Sequence, residues 1–418
     1  MTPTSPMAPL TQLRRRRSAK WRTHPAEVLP LFVAEMDVQL APPISETLRA
    51  AIELSDTGYA APRSELPAAF AAFAARRWTW DVDVEQVSLA PDVSVAMVET
   101  LRVLLGGGSS GPADGTRGTV ALSPPVYPPF YGWIREVGAR TVEVPLREDD
   151  ADGGAACAGT RLDLPALEAA FRAGVDVYML CNPHNPVGTV HTRDELAALA
   201  DLAARHGVTV VSDEIHAPLV LPGASFVPFL SVSAEARRCG VALESASKGW
   251  NLAGLKAAMI VTADRRTREI HGRFPAELAW RTGHLGVLAS TAAFTAGEEW
   301  LDDVICVLDA NRYLLSNLLR EHLPRVRYRP PQASYLAWLD FRNVPAAAAL
   351  SGPGDLAGDI LHNCAVALSS GDDFGPPGAG HLRLNFGTSP DVLREAIQRL
   401  ATYTPSEAVP GEATDDSR

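Results

Sequence analysis

Val241-Ala242-Leu243-Glu244-Ser245-Ala246-Ser247-Lys248 is the stretch that decides the fold. A short apolar run that does not alternate, Val241–Ser245, ends in small residues and a lysine. Runs of this kind suit strands buried on both faces of a sheet. Two upstream runs end in the same manner. Val208–Ser212 leads into Asp213-Glu214-Ile215-His216, and Val175–Cys181 into Asn182-Pro183-His184-Asn185-Pro186-Val187-Gly188. Thr119–Leu122, Thr141–Pro145 and Ala257–Val261 also read as strands. Helical patterns separate them. Over Thr192–His206, Thr192 and Glu195 form a capping box, leucines recur at 196, 199 and 202, and Gly207 stops the helix. Val93–Leu105 and Leu164–Arg172 are predicted helices as well. Strand and helix in repetition predict an α/β fold, a mainly parallel sheet covered on both faces. Ligands of such sheets sit at the carboxyl ends of the strands, so the residues that follow each run are the candidates.

Beyond about residue 290 the pattern changes. A long helical stretch, Glu298–Arg320, precedes Ser334–Asp340, Ala365–Ser369, His381–Asn385 and a closing helix, Pro390–Thr402, the layout of a smaller α+β domain. Gly106–Gly118 and Asp149–Gly159 read as flexible connections, and residues 1–30 and 405–418 as frayed ends.

The chain of 418 residues has a net charge of −11, which argues against nucleic-acid binding. Five scattered cysteines without CxxC spacing predict neither a zinc site nor a disulfide frame, and point to reduced thiols. No 18-residue apolar run predicts a membrane span, and Met1–Leu13 lacks the apolar core of a signal peptide, so a cytoplasmic protein is expected. Only Lys20, Lys248 and Lys256 are lysines, leaving 38 − 3 = 35 arginines. Any chemistry that needs a primary amine has three candidates, and Lys20 lies in the segment expected to fray.

Taken together, these motifs resemble the pyridoxal 5'-phosphate (PLP) enzymes of fold type I, the aspartate aminotransferase superfamily, over Leu31–Leu400. Within it the chain is most similar to the MalY/PatB-like cystathionine β-lyase branch. The carriers are Ala34–Asp37, Thr57–Tyr59, Pro125–Phe130, Cys181–Gly188, Ser212–His216, Ser247–Lys256 and Arg383–Gly387. The resemblance implies a seven-stranded-type sheet in a large PLP domain, 46–290. An N-terminal segment, 1–45, would join the small domain, 291–404, and 405–418 would be a disordered tail.

It also implies roles. Lys248 is the lysine that holds the cofactor and moves the substrate's α-proton. Asp213 keeps the pyridine nitrogen protonated, Asn185 donates to the ring's phenolic oxygen, and Tyr127 stacks on the ring. His216 stands where many aminotransferases have a tyrosine, with a structural role equally open. Phosphate donors are Val93 and Ser94 at a helix start, Ser245 and Lys256. Asp92 occupies a position usually held by glycine, so its side chain is expected to point away. Tyr59 would reach the phosphate of a second subunit, which makes a homodimer with shared sites the expected assembly. Arg383 would fork onto the carboxylate of a small amino-acid substrate. Asp37 would lie on the substrate side or cap its loop.

Proton removal from Cα serves several reactions on this fold. The branch implies β-elimination of a thiol from cystathionine or another cysteine S-conjugate. Transamination is the alternative, with a specialised-metabolism enzyme acting by elimination or decarboxylative deamination as a further one. From a different class, a non-catalytic regulator that kept the fold is also open.

Overall fold

A computed structural model of the chain describes residues 6–61, 63–106, 117–148, 159–345 and 355–403. The connections expected at Gly106–Gly118 and Asp149–Gly159 fall largely outside the described residues, and the tail 405–418 does so wholly.

Seven strands form the main sheet, in the spatial order Val87–Ala90, Ala258–Val261, Gly240–Glu244, Thr209–Asp213, Val177–Cys181, Thr119–Leu122, Arg140–Glu143. Ala258–Val261 runs antiparallel to both neighbours, and the other pairings are parallel. The strands from 177 to 261 are buried almost throughout, which is why their sequences are continuous apolar runs. Helices Val93–Leu104, Leu164–Arg172 and Arg193–His206 connect them. Thr192 caps the last of these through the expected box, and Gly207 ends it at φ 70°. The strand Val87–Ala90, four residues long, escaped the sequence reading.

A second sheet of four short strands contains Leu336–Asp340 beside His381–Asn385, paired Leu336↔Asn385 through Asp340↔His381. The 25-residue helix Glu298–His322 and the helix Pro390–Ala401 pack together over it. Among the described residues, no helix is long and apolar enough to cross a membrane.

The N-terminal segment departs from the expectation of fraying. Leu13 and Lys20 are fully buried, and Leu29–Pro30 pairs with Val366–Ala367 as a parallel two-stranded ribbon. What holds the segment is an ion pair: Lys20 Nζ lies 2.9 Å from Asp37 Oδ2 and donates to Glu35 O at 2.9 Å. Trp21 Nε1 donates to Asp37 Oδ1 at 3.0 Å. The loop 33–37 is tied from other sides too. Asn385 Nδ2 donates to Val33 O and Glu35 O, and the Asn251 amide bonds both backbone groups of Met36. A segment that reads as polar therefore becomes a strap against the body of the fold.

Candidate active site

At the carboxyl edge of the main sheet lies a cavity of about 200 Å³. Its walls come from successive strand ends: Asn185 after Val177–Cys181, Asp213 and His216 after Thr209–Asp213, and Ser247 and Lys248 after Gly240–Glu244. Two larger hollows, of about 310 and 500 Å³, are not lined by Lys248, so chemistry rather than size selects the site.

Lys248 is enclosed, and its Nζ donates to Ala34 O at 2.9 Å. Burial pushes its pKa down to about 8, with the Arg383 charge acting the same way. Such an amine is partly neutral near physiological pH, which a nucleophile or base requires. Asp213 is buried, and Ile215 N donates to its Oδ1 at 3.2 Å. Burial raises this carboxyl to about 6. Its Oδ2 takes no hydrogen bond among the described residues, so the group suits a cationic N–H partner.

Arg383, on the strand His381–Asn385, is buried with neutral acceptors only. Its Nη1 donates to Asn185 Oδ1 at 3.2 Å, and its Nη2 to Phe32 O at 2.9 Å and Ser369 Oγ at 3.2 Å. The guanidinium lies 5.0 Å above the Phe374 ring, and its Nε is buried without an acceptor. Burial lowers its pKa to about 10. A desolvated guanidinium with no carboxylate partner among the described residues favours an anionic ligand. The bond to Asn185 Oδ1 orients that amide and leaves its Nδ2 as the remaining donor at the cavity wall.

Tyr127 forms another wall, its ring edge-on to Trp133 at 6.0 Å. Burial raises its phenol pKa, so it remains un-ionised. His216 Nδ1 bonds Ser334 Oγ at 3.1 Å, and burial drops its pKa to about 3, so the ring is neutral.

The far end of the cavity is the start of helix Val93–Leu104. Val93 and Ser94 line it, and first-turn N–H groups have no acceptor within their own helix. Lys256 lines the same end. Asp92 does not point away as expected. Its Oδ1 caps the helix by accepting from Val95 N at 2.9 Å, and its Oδ2 meets Lys256 Nζ at 2.9 Å.

Four predicted residues do not line the cavity: Arg383, which reaches its wall only through Asn185, and three that sit elsewhere. Ser245 does not line the cavity: its hydroxyl donates to Ala257 O at 2.7 Å, and Ser247 Oγ lies 2.6 Å away. Ser247, which the sequence reading passed over, is the serine on the wall. Asp37 is consumed by the Lys20 and Trp21 contacts and does not face the cavity. Tyr59 is 80% exposed, edge-on to Trp280 at 5.7 Å, and away from the cavity of its own chain. Tyr335 was also missed. Its hydroxyl donates to the same Ala34 O as Lys248, at 2.9 Å, and no motif around it signals that role.

Comparison with known proteins gives the same assignment. The profile of the family "Aminotransferase class I and II" matches residues 69–400. A Mycobacterium leprae protein is 46% identical over 95% of this chain and 97% of its own. Cystathionine beta-lyase PatB of Bacillus subtilis is 34% identical over 90% of this chain and 92% of its own. The solved structure of cystalysin from Treponema denticola, which contains pyridoxal 5'-phosphate, superposes with a TM-score of 0.83 at 25% identity, covering 95% of this chain and 97% of that one. By profile, by full-length relatives and by the sheet that carries its strand-end motifs, this chain belongs to the class I and II aminotransferase family, in the fold type I architecture of PLP-dependent enzymes.

Proposed function

We propose that the chain is a PLP-dependent carbon–sulfur β-lyase acting on cystathionine or a related cysteine S-conjugate. It would release a thiol, pyruvate and ammonia, with one water consumed. The observation that carries the reading is a half-buried amine with its pKa pushed down to about 8, lining a cavity whose wall residue Asn185 is held by a buried arginine that lacks a carboxylate partner among the described residues. The name of the PatB relative supports the choice of reaction.

The residues fit the cofactor. Asp213 offers an unpartnered carboxylate oxygen, Asn185 an amide donor, and Tyr127 and His216 flat walls. Val93 and Ser94, with Lys256, offer donors for a phosphate. PLP, when bound, takes up the electron pair left at the substrate's α-carbon after its proton has gone. Lys248 supplies the amine that holds the cofactor and the base that takes that proton. Arg383 binds the substrate carboxylate and so orients the Cα–H bond toward Lys248. Ala34 O and Tyr335 hold the approach to the amine in place. Loss of the thiol from Cβ completes the elimination.

We also propose a homodimer, supported by the exposed Tyr59–Trp280 pair and the exposed Ile52 and Leu54 nearby in the sequence. We propose domain boundaries at 45/46, 290/291 and 404/405, by which the Arg383–Asn185 contact would join the large and small domains. A cytoplasmic location is proposed from the four free cysteines among the described residues.

The test is incubation of the purified protein with cystathionine, with and without an added keto acid. Pyruvate released without the keto acid is expected. Strict keto-acid dependence would instead make the chain an aminotransferase, the second reading that the family name favours. A colourless protein that stays colourless with PLP would defeat both.

A further inference from the structure

The phosphate end of the cavity contains a negative charge as well as donors. Asp92 is the cap of the helix Val93–Leu104, and its two oxygens have separate tasks: Oδ1 accepts from Val95 N, and Oδ2 holds Lys256 Nζ at 2.9 Å. Both residues line the cavity. The backbone of Lys256 is held beside this contact. It adopts φ 63°, its carbonyl accepts from Gly283 N at 2.8 Å, and a Cβ on Gly286 would come within 2.2 Å of Leu255 O. The pair is open to water, with side-chain exposures of 56% for Lys256 and 26% for Asp92. Its net charge is zero, and a doubly charged phosphate placed at the helix start meets a carboxylate beside it.

We infer that Asp92 sets the affinity for the cofactor's phosphate: it positions Lys256 and cancels its charge, so that the phosphate is held mainly by helix N–H groups and the cofactor is more readily released. Removing the carboxylate while keeping the cap changes the pair from neutral to +1. Asparagine and serine both cap helices about as well as aspartate. The inference rests on the PLP reading of the cavity.

The experiment measures equilibrium binding of PLP, and separately of pyridoxal without its phosphate, to resolved wild type, D92N and D92S. Bound cofactor is followed by absorbance and by quenching of tryptophan fluorescence. About tenfold tighter PLP binding is expected in both variants, the order for removing one unit charge near a dianion in a solvent-exposed site, with pyridoxal affinity unchanged. A wild type that binds neither compound would defeat the PLP reading itself. Where the wild type does bind PLP, equal or weaker binding by the variants, or an equal gain for pyridoxal, would overturn the role given to Asp92.

Discussion

Replacing Lys20 by methionine should unfasten the N-terminal strap. The side chain is completely buried, as is that of its partner, with Nζ 2.9 Å from both Asp37 Oδ2 and Glu35 O. Methionine fills a similar volume, so the loss is electrostatic and not a cavity. Removing one member of a buried pair leaves an uncompensated charge and costs about 3–5 kcal/mol. Asp37 keeps the Trp21 indole N–H, and Glu35 O keeps Asn385, so the lower end of that range, about 3 kcal/mol, is expected. Urea denaturation followed by tryptophan fluorescence measures it. Removing the carboxylate too, as K20M/D37L, should recover about 2 kcal/mol, because two apolar side chains replace a buried pair at little net cost. A K20M protein within about 0.5 kcal/mol of wild type would refute the account of how the segment is held.

K248A should abolish turnover, and the visible absorbance of the PLP-loaded variant should be that of the free aldehyde and not of a lysine imine, as absorbance spectra will show. R383K retains the charge but loses the fork, and should lower kcat/KM for the amino-acid substrate by roughly a hundredfold, about 2.7 kcal/mol, in steady-state kinetics. Glu214 and Glu244 form a buried acid pair behind the site. Burial raises Glu214 to about 7, and burial with the Glu214 charge raises Glu244 well above the ordinary value. Their folded pKa values exceed the unfolded ones, so the folded state retains the protons. Stability should therefore fall as pH rises from about 4.5 through 7 and beyond, by at most about 1.4 kcal/mol per pH unit per group. E244Q, which can donate to Glu214 without ionising, should flatten that slope in thermal melts across pH 5–9.

Much of the site was legible because each chemical residue directly follows a buried apolar run. Lys248, Asp213 and Asn185 are placed by short-range geometry: Asp213 is the last residue of its strand, and Lys248 and Asn185 each come four residues after theirs, at the sheet's edge. Legibility ended where long-range pairing decides. Nothing around Lys20, three residues past a run of four arginines, indicates that Asp37 would bury it. Ser245 and Ser247 are equivalent in sequence, and only the position of Ala257 O decides which hydroxyl is withdrawn from the cavity. Asp92 could have been read better, since an aspartate directly before a helix is a cap signal, yet its second partner lies 164 positions away.

The reversed strand Ala258–Val261 gives the loop 249–257 the character of a ruler. In a wholly parallel sheet, the chain would have to cross back along a helix before returning to the ligand edge. Here Gly240–Glu244 leaves at that edge and the next strand starts from it, so one short excursion delivers Lys248 and, eight residues later, Lys256. The spacing between the amine proposed to hold one end of the cofactor and the ammonium proposed to stand beside its phosphate is thus limited by chain length. Helix His284–Ala296 clamps the far end of that loop, through contacts at Gly283 and Gly286 too close to admit a Cβ. Insertions in this loop would change the gauge of the site.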